Sequence, residues 1–158
     1  MEKTSKPLSI IFMLHSFMIF GFKTADVEKF IKDGDCRGCD LSHARILHHY
    51  AAWSHLENAN LSHVNLTGSN LQLSYMHKAN LSGADLTGTS LAGADLSDAD
   101  LSGADLTLTN LHTANVTGTN ICNVKGISEK KLHELYALGA VCKPKMDKRT
   151  HLKKRKDL

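Results

Sequence analysis

Aromatic residues and prolines are scarce over most of this 158-residue chain. Aromatic residues make up 6% of it, and all five phenylalanines lie before residue 31. A globular core of this size normally depends on aromatic side chains, so their scarcity argues against an ordinary mixed α/β enzyme. The 22 leucines argue against a disordered chain, because they can bury apolar area. The two prolines, Pro7 and Pro144, leave the long segment between them without a residue that breaks regular structure.

The net charge of +3 is distributed unevenly along the chain. Residues 1–25 carry +2, residues 26–38 carry −1 and residues 39–123 carry −5. Residues 124–142 carry +1, and residues 143–158, with eight Lys or Arg against two Asp, carry +6. The charges therefore divide the chain into a leader, a mildly acidic body and a basic tail.

The leader has the organisation of a secretory signal peptide. Lys3 and Lys6 precede an apolar run of 15 residues, 8–22. A membrane-spanning helix needs about 20 residues, so the length and the flanking charge favour an exported protein over a membrane protein. The best cleavage site follows Ala25, although Lys23 departs from the usual small residue, and no cysteine follows that would indicate a lipoprotein. A buried N-terminal helix and an uncleaved anchor are the alternatives for the leader, and a cytoplasmic protein is the alternative to export.

The body repeats every five residues from 39 to 123, as in KANLS GADLT GTSLA GADLS. The central position is a large aliphatic residue in sixteen of seventeen repeats, and the position two before it is small in fifteen. Neither a helix, with a period of 3.6, nor a strand, with a period of 2, explains this spacing. A coil that turns a corner every five residues explains it, with these centres pointing inward: Leu41, Ile46, Ala51, Leu56, Leu61, Leu66, Leu71, Met76, Leu81, Leu86, Leu91, Leu96, Leu101, Leu106, Leu111, Val116 and Ile121.

The pattern A-(D/N)-L-(S/T)-G resembles the pentapeptide-repeat family. The motif C-x-G-C-D-L at residues 36–41 resembles the start of the coil in exported members. The resemblance implies an all-β solenoid, a right-handed quadrilateral β-helix of about four coils with short capping helices at both ends. Residues twenty apart would then stack about 4.8 Å from one another.

The chain therefore divides into five predicted regions. Residues 1–25 form the signal peptide, 26–38 an N-terminal cap helix and entry, 39–126 the β-helix, 127–142 a C-terminal cap helix and 143–158 a basic disordered tail. The caps follow from helical spacing of Val27, Phe30 and Ile31 and from an N-cap at Ser128. A solenoid needs such caps because its ends expose apolar surface and unpaired backbone.

The coil implied by the resemblance restricts how the four cysteines can pair. Cys36 and Cys39 would lie at its entry, and Cys122 and Cys142 about 19 Å away at its exit. A disulfide needs Cα atoms within about 7 Å, which predicts the pairs Cys36–Cys39 and Cys122–Cys142. Reduced, buried thiols are the alternative, and the same separation excludes one zinc site made by all four cysteines.

Two groups of residues are candidates for binding. His43 and His63 are twenty apart and would stack on one edge, which makes them weak candidate ligands for zinc or copper without an evident third ligand. An exposed polar edge is the alternative. The segment 47–58 departs from the repeat, and the coil could bulge there. It offers a recognition patch of His48, Tyr50, Trp53 and His55, or a surface that packs against the N-terminal helix.

Nothing in the sequence has the spacing of a catalytic site. We find no nucleophile–base pair, phosphate loop or carboxylate dyad, so we predict no enzyme activity, cofactor or small-molecule substrate. The prediction is an exported scaffold or protein-interaction module, periplasmic or extracellular, whose partner and oligomeric state stay open. The alternatives are a DNA-mimic modulator of DNA gyrase, as some family members are, and a histidine-based metal-binding protein. The basic tail either attracts an anionic surface, such as nucleic acid or lipid, or keeps the protein soluble.

Overall fold

The body of the protein is a four-faced coil in which parallel backbone bridges join residues twenty positions apart. The computed structural model describes residues 24–143. Its strands are single-residue bridges, arranged in four columns that begin at Asp35, Asp40, Arg45 and Tyr50. Within this register the bridges run from Asp35–His55 to Asp105–Lys125. The coil predicted from the period of five is therefore present, and it has the four faces of the β-helix that the resemblance implies.

In each five-residue repeat, two residues lie on a straight face and three form a corner. In one repeat the Leu61 N–H donates to the Asn80 carbonyl of the next coil at 2.7 Å, and the Val64 N–H closes the corner onto the Leu61 carbonyl at 3.1 Å. His63, between them, has a left-handed backbone with φ 57°. Every corner from residue 38 to residue 123 has this conformation at the same position, with φ from 51° to 71°. Glycine is frequent at this position because it adopts the left-handed conformation without steric cost.

The interior is a set of stacked aliphatic side chains. All seventeen predicted centres are buried, and none exposes more than 6% of its surface. The small position two residues before each centre is also buried, except that His49 and Thr109 are half-buried. Four faces only about two residues wide leave room for one aliphatic side chain each, which explains why leucine replaces aromatic residues.

Where an Asn or Asp precedes a centre, its side chain holds the backbone of the corner that follows. Its side-chain oxygen accepts a hydrogen bond from the N–H two residues later, an arrangement that these short side chains favour in turns. At Asn65, for example, Oδ1 accepts both the Thr67 N–H at 3.0 Å and the Thr67 hydroxyl at 2.7 Å. The residues that do this are Asp40, Asn60, Asn65, Asn70, Asn80, Asp85, Asp95, Asp100, Asp105, Asn110, Asn115 and Asn120.

Helix α1, Thr24–Asp33, closes the N-terminal end. Val27 and Phe30 are buried against the coil, and the Asp26 carboxylate accepts the Asp40 N–H at 2.9 Å, so the helix also satisfies an open backbone edge. The coil starts earlier than the predicted residue 39. Its first bridge is at Asp35, and Cys36 already occupies an inward centre in a corner like all the others.

Helix α2, Glu129–Ala137, closes the other end. Ser128 caps it by accepting the Lys131 N–H at 3.2 Å, and Leu135 is buried against the coil. The chain then returns to the coil, where Val141 forms a final bridge with Asn120. Neither described helix is long and apolar enough to cross a membrane. The predicted leader, apart from its last two residues, and the tail beyond residue 143 lie outside the described residues.

Both predicted disulfides are formed. Cys36 pairs with Cys39, whose Cα atoms are 5.1 Å apart, and Cys122 pairs with Cys142 at 4.6 Å. The first pair is buried within the first corner. The second joins the buried Cys122 to the exposed Cys142 and so attaches the returning segment to the end of the coil.

Candidate functional site

The segment 47–58 keeps the regular register, so the bulge considered from the sequence does not occur. Tyr50 bridges Asn70 and His55 bridges Tyr75, as at any other face. His49, which takes the place of a small residue, fits at the end of the coil. Its ring lies edge-on to Phe30 of α1, with 5.4 Å between ring centroids. Burial lowers the pKa of His49, which favours its neutral form.

A group of apolar side chains lies around one corner of the coil, where the Tyr50 column meets the Asp35 column. Tyr50 exposes 74% of its surface and Trp53 60%, and directly beside them Leu73 and Tyr75 expose 41% and 42%. These are four of the seven exposed large hydrophobic residues among residues 24–143. We call Tyr50, Trp53, His55, Leu73 and Tyr75 the Trp53 corner.

Polar contacts fix the orientation of the rings on one side of the Trp53 corner. His55 and Tyr75 stack with 4.7 Å between centroids and 8° between planes. His55 Nδ1 lies 3.2 Å from Glu57 Oε1, and Arg37 Nε lies 3.4 Å from the same oxygen. Burial opposes ionisation of Glu57, but hydrogen bonds from its own backbone and His55, with the Arg37 charge, lower its pKa overall. The carboxylate therefore stays charged and holds both neighbours.

The structure brings together three of the four residues of the predicted patch. His48 lies instead on the preceding corner, where its ring covers Gly68 so closely that a Cβ there would collide with it. Leu73 and Tyr75 were missed by sequence reasoning. Their signal was available, because they follow Trp53 and His55 by the twenty residues of one coil.

His43 and His63 stack as their spacing predicts, with 5.0 Å between centroids and 14° between planes. Within residues 24–143 no group of three or more His, Cys, Asp or Glu side chains is placed to hold a metal ion. Beyond His63 the same corner column continues with Gly83, Gly103 and Asn123. The two glycines leave a groove of about 560 Å³, the glycine groove, lined by His63, Ser82, Gly83, Ser102, Gly103, Cys122, Asn123 and Lys125.

Acidic side chains of the later coils accept hydrogen bonds from the corners of the fold. No Lys or Arg occurs between Lys78 and Lys125, while five Asp do. Asp95 is partly buried, which opposes its ionisation. Hydrogen bonds from the Ser97 hydroxyl and N–H, with the His77 charge and the Asn115 amide, nevertheless lower its pKa. The hydroxyl and N–H of Thr107 likewise lower the pKa of Asp105. These carboxylates anchor turns, which accounts for them without a ligand.

Comparison with known families identifies the repeat. The family model described as pentapeptide repeats matches residues 54–91 and 89–125, in eight copies. This range lies within residues 35–125, which the twenty-residue bridges join. No curated protein matches the chain.

Solved structures of the same kind also match. A pentapeptide repeat protein from Nostoc PCC 7120 is 26% identical, with 77% of this chain and 96% of that chain covered and a TM-score of 0.40. One from the Arabidopsis thaliana thylakoid lumen is 24% identical, with 71% and 83% covered and a TM-score of 0.39. QnrB1, a plasmid-mediated fluoroquinolone resistance protein, is 19% identical, with 81% and 70% covered and a TM-score of 0.34. Scores this low carry nothing about function.

Proposed function

The chain belongs to the pentapeptide-repeat family, and we propose that it is an exported, non-enzymatic scaffold that binds a protein partner through the Trp53 corner. The observation that carries the proposal is that Tyr50, Trp53, Leu73 and Tyr75, four of the seven exposed large hydrophobic residues among residues 24–143, lie together on one corner. Exposed apolar side chains scattered singly are ordinary, but contiguous ones rimmed by polar groups are typical of interaction sites.

The exposed area is of the size that a recognition site needs. A fully exposed aromatic side chain presents about 200 Å². At their exposed fractions of 74%, 60% and 42%, Tyr50, Trp53 and Tyr75 together present roughly 350 Å². One partner in a standard interface contributes about 800 Å², so the corner supplies a hydrophobic centre for a rim that remains polar. Trp and Tyr are also the residues that most often dominate binding energy.

Hydrogen bonds to the next coil fix the backbone of the Trp53 corner, which favours binding. The Trp53 N–H donates to the Gln72 carbonyl at 2.9 Å, and the Leu73 N–H donates to the Ala92 carbonyl at 2.9 Å. Tyr75 is held by its stack on His55. Little conformational entropy is lost when a surface that is already ordered meets its partner.

The export part of the proposal is supported by the cysteines and the leader. All four cysteines are in disulfides, which persist in oxidising compartments and are rare in the cytosol. The apolar run with its preceding lysines has the organisation of a signal peptide. N-terminal sequencing of the protein after cell fractionation tests this. A cytosolic protein that retains residues 1–25 would refute export without affecting the corner.

The partner proposal is tested by comparing two exposed residues. Trp53→Ala removes the centre of the corner, whereas Leu108→Ala removes a side chain that is 83% exposed on a different corner. We expect a captured partner to be lost with the first variant and retained with the second. Trp53 is the sole tryptophan, so its fluorescence should also shift to shorter wavelength when the purified partner is added. Equal capture by both variants, or an unchanged emission spectrum, would refute a role for this surface.

A further inference from the structure

The glycine groove exists because one corner column has two glycines, Gly83 and Gly103, between His63 and Asn123. The His63 ring reaches over Gly83, where an added Cβ would lie 2.6 Å from two ring atoms. At Gly103 an added Cβ would meet nothing within 4 Å. The next residue of the column, Asn123, restores a side chain. From His63 to Asn123 is three coil spacings, about 14 Å, so the opening is an elongated trough with a floor of backbone.

Two serine hydroxyls in this trough make no side-chain hydrogen bond among the residues that the structure describes. At the equivalent position of four other corners, the hydroxyl donates to Oδ1 of the Asn or Asp two residues before it, the same oxygen that accepts the backbone N–H. These hydroxyls belong to Ser42, Thr67, Ser97 and Thr107. Ser82 and Ser102 make only the backbone bond, and their Oγ atoms find no partner among residues 24–143. Ser82 is only 6% exposed, yet it lines the groove. Ser82 Oγ is not one of the buried side-chain atoms without a partner in the described chain, which are Ser54 Oγ, Glu57 Oε2 and Ser90 Oγ, so it is open to the groove and available to a ligand there.

The remaining polar groups of the groove favour a neutral ligand over an ion. Ser82, Ser102 and Asn123 can each both donate and accept hydrogen bonds, and the His63 ring adds two nitrogen atoms. The one cation, Lys125, is near Asp105, whose carboxylate its charge stabilises. Asp105 and Lys125 are bridge partners on the adjoining face, so an acidic side chain lies beside this cation. Asp85 and Asp105 on the adjoining face would repel an anion, and no carboxylate lines the groove itself to attract a cation.

We propose that the glycine groove binds a short, neutral saccharide. Sugar hydroxyls donate and accept hydrogen bonds in the same way as the side chains that line the trough. The C–H face of a sugar ring would lie on the open backbone of Gly103 and against the His63 ring, which already covers Gly83. The groove lies between the Asp40 and Arg45 columns, and the Trp53 corner lies between the Tyr50 and Asp35 columns, so the two sites occupy opposite corners of the coil. The inference is independent of the proposed function.

The first experiment asks which chemistry binds. The full-length, oxidised protein is titrated by NMR with chitotriose and maltotriose as neutral probes and with acetate and inorganic phosphate as anionic probes. We expect at least one saccharide to shift the amide signals of Ser82, Gly83 and Gly103 in a saturable manner, and neither anion to do so. The absence of saturable shifts with both saccharides overturns the proposal. Anion binding that is lost in Lys125→Gln also overturns it.

The second experiment fills the groove without changing the backbone. Asn adopts the left-handed conformation readily, as Asn123 and Asn58 do here with φ 57° and 59°. Gly103→Asn therefore places a side chain in the trough, and Gly88→Asn, on the next corner with φ +65° and no close neighbour, is its matched control. We expect the saccharide affinity to fall about tenfold or more in the first variant and to be unchanged in the second. Unchanged affinity in Gly103→Asn, or an equal loss in both, overturns the proposal. Circular dichroism verifies that both variants are folded.

Discussion

The disulfide between Cys122 and Cys142 should contribute more to stability than the one between Cys36 and Cys39. It attaches the segment that closes the C-terminal end of the coil. In that segment the Ile121 N–H donates to the Val141 carbonyl and the Val141 N–H donates to the Thr119 carbonyl, both at 2.9 Å. Without the covalent link, this last rung is held only by its own few hydrogen bonds and by the packing of α2.

The magnitude follows from the length of chain that each disulfide closes. Cys122 and Cys142 are twenty residues apart and Cys36 and Cys39 are three apart. The chain-entropy relation gives about 3 kcal/mol for the longer loop and about 2 kcal/mol for the shorter one. Because all four side chains are replaced by alanine in the two double variants, the comparison depends mainly on loop length and on which end of the coil is released.

Urea unfolding of the two double variants measures the difference. We expect the free energy of unfolding to fall more for Cys122→Ala with Cys142→Ala than for Cys36→Ala with Cys39→Ala. Hydrogen exchange should also accelerate at the Ile121 and Val141 amides. Cys142 is exposed, so mild reduction of the unmodified protein should reproduce the effect. A loss at the C-terminal pair that is equal to or smaller than that at the N-terminal pair, with unchanged exchange, would refute the reasoning.

Three further predictions follow from burial and hydrogen bonding. Leu81→Ala, at a fully buried centre, should cost about 3–5 kcal/mol in urea unfolding, whereas Leu108→Ala, 83% exposed, should change stability by less than about 0.5 kcal/mol. The pKa of His49 is lowered by burial, so its contribution to stability is present above its ordinary value of 6.5 and is lost as pH falls toward the folded-state value; His49→Gln should remove that part of the pH dependence of Tm. Thr107→Val deletes the hydroxyl that donates to Asp105 and should raise the pKa of Asp105 toward its ordinary value, measured by carboxyl ¹³C NMR.

Each of these has an outcome that would contradict it. Equal losses for the two leucine variants would mean that the stacked centres are not the source of stability. A pH dependence that survives in His49→Gln would assign it to another group. For Asp105 the matched control is Thr87→Val, because the Thr87 hydroxyl makes no bond to the preceding Asp85. An unchanged Asp105 pKa in Thr107→Val would show that the N–H alone accounts for the shift.

Most of the fold was predictable because one residue pattern is repeated many times. A period of five is incompatible with helix and strand, and every predicted centre is buried. The disulfide pairing was also predictable, because the coil places the two pairs of cysteines at opposite ends. The start of the coil was predicted too late, at residue 39, because Cys36 takes the place of the usual leucine at an inward centre.

The candidate sites were only partly predictable. Tyr50, Trp53 and His55 attracted notice as departures from the repeat, but Leu73 and Tyr75 stand alone in the sequence. Only stacking at twenty residues joins them to the others. The glycine groove gave no sequence signal, because glycine is the common corner residue. It becomes a cavity only where two glycines fall in one column between His63 and Asn123.

The sequence by itself determined which side chains lie inside and how often the chain turns. Both properties depend on the spacing of residues within five positions, and that spacing recurs in every repeat. The tertiary structure alone decided which exposed residues become neighbours and which hydroxyls are left without a partner. Those properties arise between coils, where residues twenty apart in the chain lie in contact, and the nature of each contact depends on which two side chains the stacking brings together.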